Sequence, residues 1–437
     1  MRGTMLSLMG LINRIKKSKE ALNASWLIAG KVFQMILSFL VSILTARYLG
    51  PSNYGIISYA TAYVAFFTSL CTLGINSVIV KDFVNNPNDQ GKTIGTTVVL
   101  RFISSLLSSL MIVSIVSIVD KGEPTTILVS FMCSLSLLFQ IFDTINYWFQ
   151  SRYESKVTAI ATLIAYIVTS VYKIVLLIFG MNVVWFALAT SIDYVCIAVF
   201  LLLEYKKHNG PKFKFSWSKG KELLSQSYHY ILSGMMVAIY GQTDKLMIKQ
   251  MMDSTSVGYY SLASSVNGMW VFVLAAVIDS MVPTIMNYHK EGNTEQFERK
   301  NRQLYAIVIY VSVFVAICMI IFGKWAIVLL YGEAYAPAAS TLKIIAWYTI
   351  FSYLGVARNS WIVCENKQKY LKYMYLSAAF INVVLNYFLI PIWGPSGAAM
   401  ASLITQICTS MVLPALIKDM RPNTKLMIDA FRLKGIK

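Results

Sequence analysis

The most regular feature of the chain is a succession of apolar blocks, separated by short polar segments. A helix of about 20 apolar residues is long enough to cross the hydrocarbon core of a bilayer. Serine, threonine and glycine are frequent within the blocks, as expected where helices pack closely in lipid. The pattern therefore predicts an all-α polytopic membrane protein with twelve spans, at residues 23–46, 56–80, 93–118, 125–149, 157–179, 182–204, 223–248, 257–285, 304–330, 338–363, 370–390 and 395–417.

The distribution of basic residues orients these spans. With the N-terminus in the cytoplasm, the segments on that side hold 28 Lys and Arg residues, whereas the opposite loops hold 3, namely Arg47, Lys121 and Lys249. Because cytoplasmic loops of membrane proteins are enriched in basic residues, this asymmetry predicts that both termini are cytoplasmic. We therefore attribute the net charge of +18 to membrane topology and predict no nucleic-acid partner.

A basic cytoplasmic linker divides the predicted spans into two halves. The predicted order is a basic N-terminus, an N-terminal six-helix bundle, the linker, a C-terminal six-helix bundle and a basic cytoplasmic tail, at residues 1–22, 23–204, 205–222, 223–417 and 418–437. Anionic lipid headgroups attract clusters of Lys and Arg near a membrane. We expect the linker to lie against them.

The two halves share a short internal repeat. "ARYLGPSNYGIISYA" begins at residue 46 and "KQMMDSTSVGYYSLA" begins at residue 249. At a constant offset of 203 residues, Gly55 matches Gly258, and the serines and alanines that follow also match. Two halves with the same orientation predict a parallel pseudo-repeat about an axis along the membrane normal, a plan that transporters use to place a cavity between halves.

The composition disfavours several other classes of protein. Apolar residues make up 57% of the chain and charged residues 13%, which leaves little room for a soluble domain. The predicted outer loops are too short for an extracytoplasmic catalytic domain, and no P-loop motif indicates ATP hydrolysis. The six cysteines are scattered singly through apolar blocks, so we predict neither disulfides nor a metal site. The sequence indicates that the protein is not an enzyme.

Four stretches resemble the polysaccharide flippases of the MOP superfamily, the O-antigen or Wzx-type transporters of lipid-linked oligosaccharides. They are "LTARYLGPSNYGIISYA", "NYWFQSRYESKVTAI", "QTDKLMIKQMMDSTSVGYYSLA" and "NVVLNYFLIPIWGPSGAAMASLI". Together with the twelve spans, the resemblance covers the whole chain. It implies two six-helix bundles that form a V around a central cavity, as in MATE transporters of the same superfamily.

The resemblance also implies a function. The protein would move an undecaprenyl-pyrophosphate-linked sugar repeat from the inner to the outer leaflet of the bacterial cytoplasmic membrane, for O-antigen, capsular or other surface polysaccharide. Its partners would be membrane lipid, this substrate and other polysaccharide assembly proteins. Two alternatives stay open: an ion-coupled multidrug or cation antiporter of the same superfamily, and a polytopic polysaccharide-biosynthesis enzyme.

Basic residues inside the spans fit an anionic pyrophosphate. Each costs about 2.5–3.5 kcal/mol to insert at the centre of a span, so such residues usually face a cavity or a partner. Alternatively, each side chain reaches the nearer interface. The candidates for substrate binding are Lys31, Arg101 and Arg358 toward the cytoplasmic side and Lys173, Lys245 and Arg47 toward the outer side.

Acidic residues inside the spans have two interpretations as well. They either pair with these cations or carry a coupling H⁺ or Na⁺; no other cofactor is predicted. Asp193 lies nearest to mid-depth, where a proton site is most plausible. The candidates are Asp143, Asp193, Asp244 and Asp279.

Asp244 and Lys245 are adjacent, but they need not pair with each other. Successive residues of a helix point about 100° apart. A helix that begins near Leu223 places Asp244 roughly 30 Å further along, at the outer interface. We therefore predict that this stretch is part of an outer gate.

Overall fold

The computed structural model describes residues 19–435, apart from the side chains of residues 19–33, 35, 36, 77, 232 and 233. This part of the chain is helical and contains no β-strand. The helices are α1 Lys19–Cys71, α2 Asn76–Asn85, α3 Gln90–Val119, α4 Pro124–Gln140, α5 Asp143–Ser151, α6 Ser155–Ile178, α7 Val183–Lys207, α8 Trp217–Met251, α9 Ser254–Gly268, α10 Val271–Lys290, α11 Thr294–Tyr331, α12 Ala338–Cys364, α13 Leu371–Trp393, α14 Pro395–Ile407, α15 Leu413–Leu416 and α16 Arg421–Phe431.

Every predicted span coincides with one or two of these helices, which confirms the predicted all-α polytopic membrane fold. Among the described residues, nine helical stretches are long and apolar enough to cross a membrane. The first two predicted spans share one of them, because α1 continues through a kink at Gly50, whose φ of 70° and ψ of 172° are not helical. The predicted spans 223–248 and 338–363 are helical, in α8 and α12, but are not among the nine.

Three predicted spans are interrupted. The second is broken between α1 and α2, where Leu73 and Gly74 have positive φ, and the fourth between α4 and α5. The eighth is broken between α9 and α10. Irregular backbone at membrane depth is tolerated only where protein or a cavity satisfies its polar groups. Each break therefore marks a place where side chains must supply hydrogen bonds.

The chain divides into two compact units. The described part of the first unit comprises residues 19–48 and 67–232, and that of the second comprises residues 49–66 and 233–435. Residues 49–66, which the predicted boundaries assign to the N-terminal bundle, belong to the second unit. All six cysteines are free.

In the first unit, the apolar core includes Ile79, Trp148 and Phe149. The linker between α7 and α8 begins with a turn at residues 208 and 209, and residues 210–216 lie against α3 as an irregular strap. Its backbone amide at Lys214 donates to the Gly91 carbonyl oxygen, and its amide at Ser216 donates to the Thr96 hydroxyl, each at 2.9 Å. Just beyond the strap, Lys219 forms a 2.6 Å ion pair with the buried Asp82. The proximity of the linker to lipid headgroups stays a prediction.

In the second unit, the core includes Leu304, Leu354 and Met427. The segment predicted as a basic tail contains α16, which packs against α11. Asn423 of α16 donates a 2.6 Å hydrogen bond to the hydroxyl of Tyr305. Thus the last helix contributes to the core of this unit.

Each of the two matching glycines of the repeat packs against the other copy of the repeat, within the second unit. A Cβ added at Gly55 would overlap the backbone of Ser254, and one added at Gly258 would overlap the backbone of Pro51. The offset of 203 residues that relates Gly55 to Gly258 also relates Pro51 to Ser254. A two-fold axis between the repeats requires this reciprocity, and only glycine permits so close an approach.

Candidate functional site

The most densely bonded polar cluster of the second unit surrounds the carboxylate of Asp244. One carboxylate oxygen accepts hydrogen bonds from the amides of Asn382 and Asn386, at 3.1 and 2.7 Å. The other accepts from the hydroxyls of Ser402, at 2.6 Å, and Tyr260. These residues come from α8, α9, α13 and α14, and all five are buried. Hence four neutral donors compensate this carboxylate.

A cavity of about 210 Å³ lies in the second unit. Its wall contains several polar and aromatic side chains, and among the described residues that line it Arg358 is the only charged one. On the wall, the amide of Gln406 donates a hydrogen bond to the hydroxyl of Tyr240. The polar residues of the wall are Tyr240, Tyr348, Ser352, Arg358, Asn359, Tyr375, Gln406, Thr409 and Ser410.

Arg358 is held by two backbone carbonyl groups that the local helix geometry frees. Residues Cys408–Val412 form a π-helical turn in which the Leu413 amide donates to Cys408 and leaves the Thr409 carbonyl without its usual partner. Pro414 has no N–H, so the Ser410 carbonyl, four residues earlier, is free as well. The guanidinium of Arg358 donates to both carbonyl oxygens, at 3.0 and 3.2 Å.

Arg101 lies at two of the helix breaks of the first unit. Its guanidinium donates to the side-chain oxygen of Asn76, the first residue of α2. It also donates to the hydroxyl of Thr144, at the start of α5, at 3.1 Å. Asp143 is half-buried and close enough to interact with it electrostatically. The space beside Arg101 has no room for a water molecule. Arg101, predicted as a cavity residue, thus connects two helix breaks in a packed region.

The other predicted site residues form none of the hydrogen bonds described above. Lys173 and Asp193 are half-buried on α6 and α7, within electrostatic range of each other, and Thr169 donates a 3.3 Å hydrogen bond to Asp193. Lys245 is half-buried beside Asp244 but is not within ion-pair distance of it. Two others, Arg47 and Asp279, are exposed. The side chain of Lys31 lies outside the described residues.

Sequence reasoning missed the neutral partners of Asp244. Asn382 and Asn386 lie four residues apart in an otherwise apolar span, so they share one face of a helix. Two amides on one face of a span are a signal for a buried polar partner, because an unsatisfied polar group is costly in lipid. The signal does not identify the partner, which lies 138 residues earlier in the chain for Asn382.

Comparison with known sequences finds a matching protein family and a relative that covers most of the chain. A profile of the family described as "Polysaccharide biosynthesis protein" matches residues 43–340. "Capsular polysaccharide biosynthesis protein CapF" of Staphylococcus aureus is 22% identical over 395 residues, which cover 88% of this chain and 96% of the relative.

Two solved structures share the fold. The lipid II flippase MurJ, in an inward closed conformation, superposes with a TM-score of 0.70 at 14% identity, over 93% of this chain and 91% of MurJ. A multidrug resistance MATE family transporter of the MOP superfamily, in an inward-facing conformation, superposes with a TM-score of 0.67 at 15% identity, over 90% and 96% of the two chains. At these identities the likeness shows the fold alone.

Proposed function

Because this chain belongs to the polysaccharide biosynthesis protein family, we propose that it is a flippase for a lipid-linked oligosaccharide. The substrate is a surface-polysaccharide repeat unit joined through pyrophosphate to undecaprenol. The protein works in the bacterial cytoplasmic membrane with both termini inside, as the distribution of basic residues predicts. It moves the polar head from the inner to the outer leaflet without covalent chemistry.

The observation that carries this proposal is Arg358 in its cavity. Arg358 is 5% exposed, and among the described residues its guanidinium donates to neutral backbone carbonyl oxygens, so no carboxylate cancels its charge. A guanidinium can bind phosphate oxygens through two parallel hydrogen bonds. A cavity whose charged lining residue is basic attracts an anion and repels a cationic drug, which favours the flippase over the multidrug antiporter.

The size of the cavity limits what it can hold. Its volume of about 210 Å³ is below the roughly 300–1,000 Å³ of pockets that enclose a drug-sized ligand. A pyrophosphate group fits, whereas a glycan repeat unit does not. Arg358 therefore receives the pyrophosphate, and the glycan and the polyprenyl chain stay outside this cavity.

Asp244 supplies the site for a coupling cation. Its carboxylate accepts hydrogen bonds from the amide nitrogens of two asparagines and from the hydroxyls of a serine and a tyrosine. Rotation of the two amides would turn their carbonyl oxygens toward a bound ion, and Na⁺ as a hard cation prefers such oxygen ligands. The same cluster would also accommodate Asp244 in its protonated form. Loading with either cation neutralises a buried charge, which is costly to keep in lipid.

Complementation of a strain that lacks the gene tests the proposal. We expect the deletion strain to accumulate the lipid-linked repeat on the cytoplasmic face, and wild-type protein to restore its export. Arg358→Ala and Asp244→Asn should each lower export at least tenfold at unchanged membrane abundance, about the effect of losing one charged hydrogen-bonding partner. Proteoliposome uptake at fixed pH with and without Na⁺ then separates the two coupling cations.

Matched controls use exposed residues of the same type. Arg432→Ala and Asp253→Asn remove an exposed arginine and an exposed aspartate and should retain export, since Asn can replace Asp253 as the N-cap of α9. Full export with Arg358→Ala would contradict the basic cavity, and full export with Asp244→Asn would contradict the coupling site. Export of a cationic dye and no effect on the lipid-linked repeat would support the antiporter.

A further inference from the structure

The Asp244 cluster and the Arg358 cavity are separated by one turn on each of three helices. Tyr240 lies four residues before Asp244 on α8, and Ala378 lies four residues before Asn382 on α13. Gln406 lies four residues after Ser402 on α14. Residues four apart share a face of a helix. Tyr240, Ala378 and Gln406 all line the cavity, so they form a layer between the cavity and the Asp244 cluster.

Two long side chains close this layer. Ala378 contributes only a methyl group, whereas Tyr240 and Gln406 reach across and are joined by a hydrogen bond. Beyond them Asp244 is only 6% exposed and is not part of the cavity wall. The direct route from the cavity to the carboxylate therefore passes through the Tyr240–Gln406 pair.

We infer that the Tyr240–Gln406 pair is the gate through which the coupling cation passes between the cavity and Asp244. This inference rests on the proposed function, which assigns the cation to Asp244. The pair is suited to the task, because a neutral hydrogen bond joins its two side chains and their separation exposes a hydroxyl oxygen and an amide oxygen. These oxygens replace part of the water shell that a cation loses as it leaves the cavity.

The gate is tested by the rate at which a small cationic thiol reagent reaches the Asp244 cluster. Ser402→Cys places a near-isosteric thiol in the cluster, one turn beyond Gln406. Full-length protein in lipid nanodiscs is exposed to 2-aminoethyl methanethiosulfonate for timed intervals, and peptide mass spectrometry follows modification at residue 402 separately from the native cysteines.

Adding Gln406→Ala to Ser402→Cys should raise the rate of modification at residue 402 about tenfold. This factor is expected when one neutral hydrogen bond no longer holds the layer closed. Tyr240→Phe keeps the ring and loses the bond, and it should give a smaller increase. The matched control is Tyr375→Ala, which enlarges the same cavity from α13 and keeps the Tyr240–Gln406 hydrogen bond, and which should leave the rate unchanged. Modification of the buried Cys133 in the first unit reports any general loosening of the fold.

Three results would overturn the gate: equal rates with and without Gln406→Ala, an equal increase with Tyr375→Ala, or an increase that Cys133 shares. These outcomes do not depend on export. Loss of the coupling site would instead appear as full export with Asp244→Asn. Failure of the gate and failure of the proposed function are therefore distinguishable.

Discussion

Arg101 in the first unit and Arg358 in the second are both buried in helices of a membrane protein, but their surroundings differ. Arg101 donates to side chains at two helix breaks, has Asp143 nearby and adjoins no space for water. Arg358 donates to two backbone carbonyl oxygens and lines a cavity of about 210 Å³. Burial alone therefore does not identify a substrate-binding cation. Free volume beside the charge and a wall whose described residues include no carboxylate distinguish Arg358.

The largest expected effect on stability is that of Arg101→Ala. Its loss leaves Asp143 without its cation and two helix breaks without their shared donor. Asn76 and Thr144 both lose a charged donor, and each polar group left without its hydrogen-bond partner costs about 1–3 kcal/mol. Arg358→Ala should cost only about 1 kcal/mol, because water in the cavity can bind the two carbonyl oxygens. Thermal unfolding of the purified proteins, detected by size-exclusion chromatography, measures the difference. Equal losses would show that Arg358 is as structural as Arg101.

A smaller effect is expected for Pro414→Ala, which tests whether the carbonyl partners of Arg358 matter for export. The new N–H would compete with Arg358 for the Ser410 carbonyl and favour a regular α-helix, since proline in a helix removes one backbone hydrogen bond. We expect higher thermal stability and lower export of the lipid-linked repeat. Pro391→Ala, within α13, controls for removal of a helical proline elsewhere. Unchanged export with Pro414→Ala would separate the π-helical turn from substrate binding.

The smallest effect is expected for Lys219→Met in the first unit. Burial lowers the pKa of Lys219, but hydrogen bonds and attraction from Asp82 and Glu222 outweigh it, so its pKa is raised above 10.5. Because the folded pKa is raised, the ion pair stabilises the protein fully below pH 10.5, and this contribution is lost as the pH rises through the raised pKa.

At pH 7 we expect Lys219→Met to lower the free energy of unfolding by about 1 kcal/mol, because Asp82 keeps its hydrogen bonds from Asn86 and Thr93, with export unchanged. The neighbouring Lys221 is exposed, and Lys221→Met should change neither quantity. A large loss of export with normal stability would contradict the distinction between packed ions of the first unit and the cavity of the second.

The sequence predicted the positions of the helices and the residues that compete for the site. Apolar blocks located the spans, because each must hide its backbone from lipid, and the offset of 203 residues matched two glycines whose repeats proved to be in reciprocal contact. The breaks at Leu73 and between α4 and α5 were not predicted. No proline marks them, and the apolar pattern continues through each break.

The sequence by itself determined that this is a multi-pass membrane protein with charged residues inside its spans, since hydrophobicity and charge are properties of single residues. Only the tertiary structure decided which charges are enclosed by packing and which adjoin a cavity. That outcome depends on the rotation of each helix and on partners more than a hundred residues away, as for Asp244 with Asn382, Asn386 and Ser402. Pro414 was visible from the start, but its consequence for Arg358 required the contact between α12 and the π-helical turn.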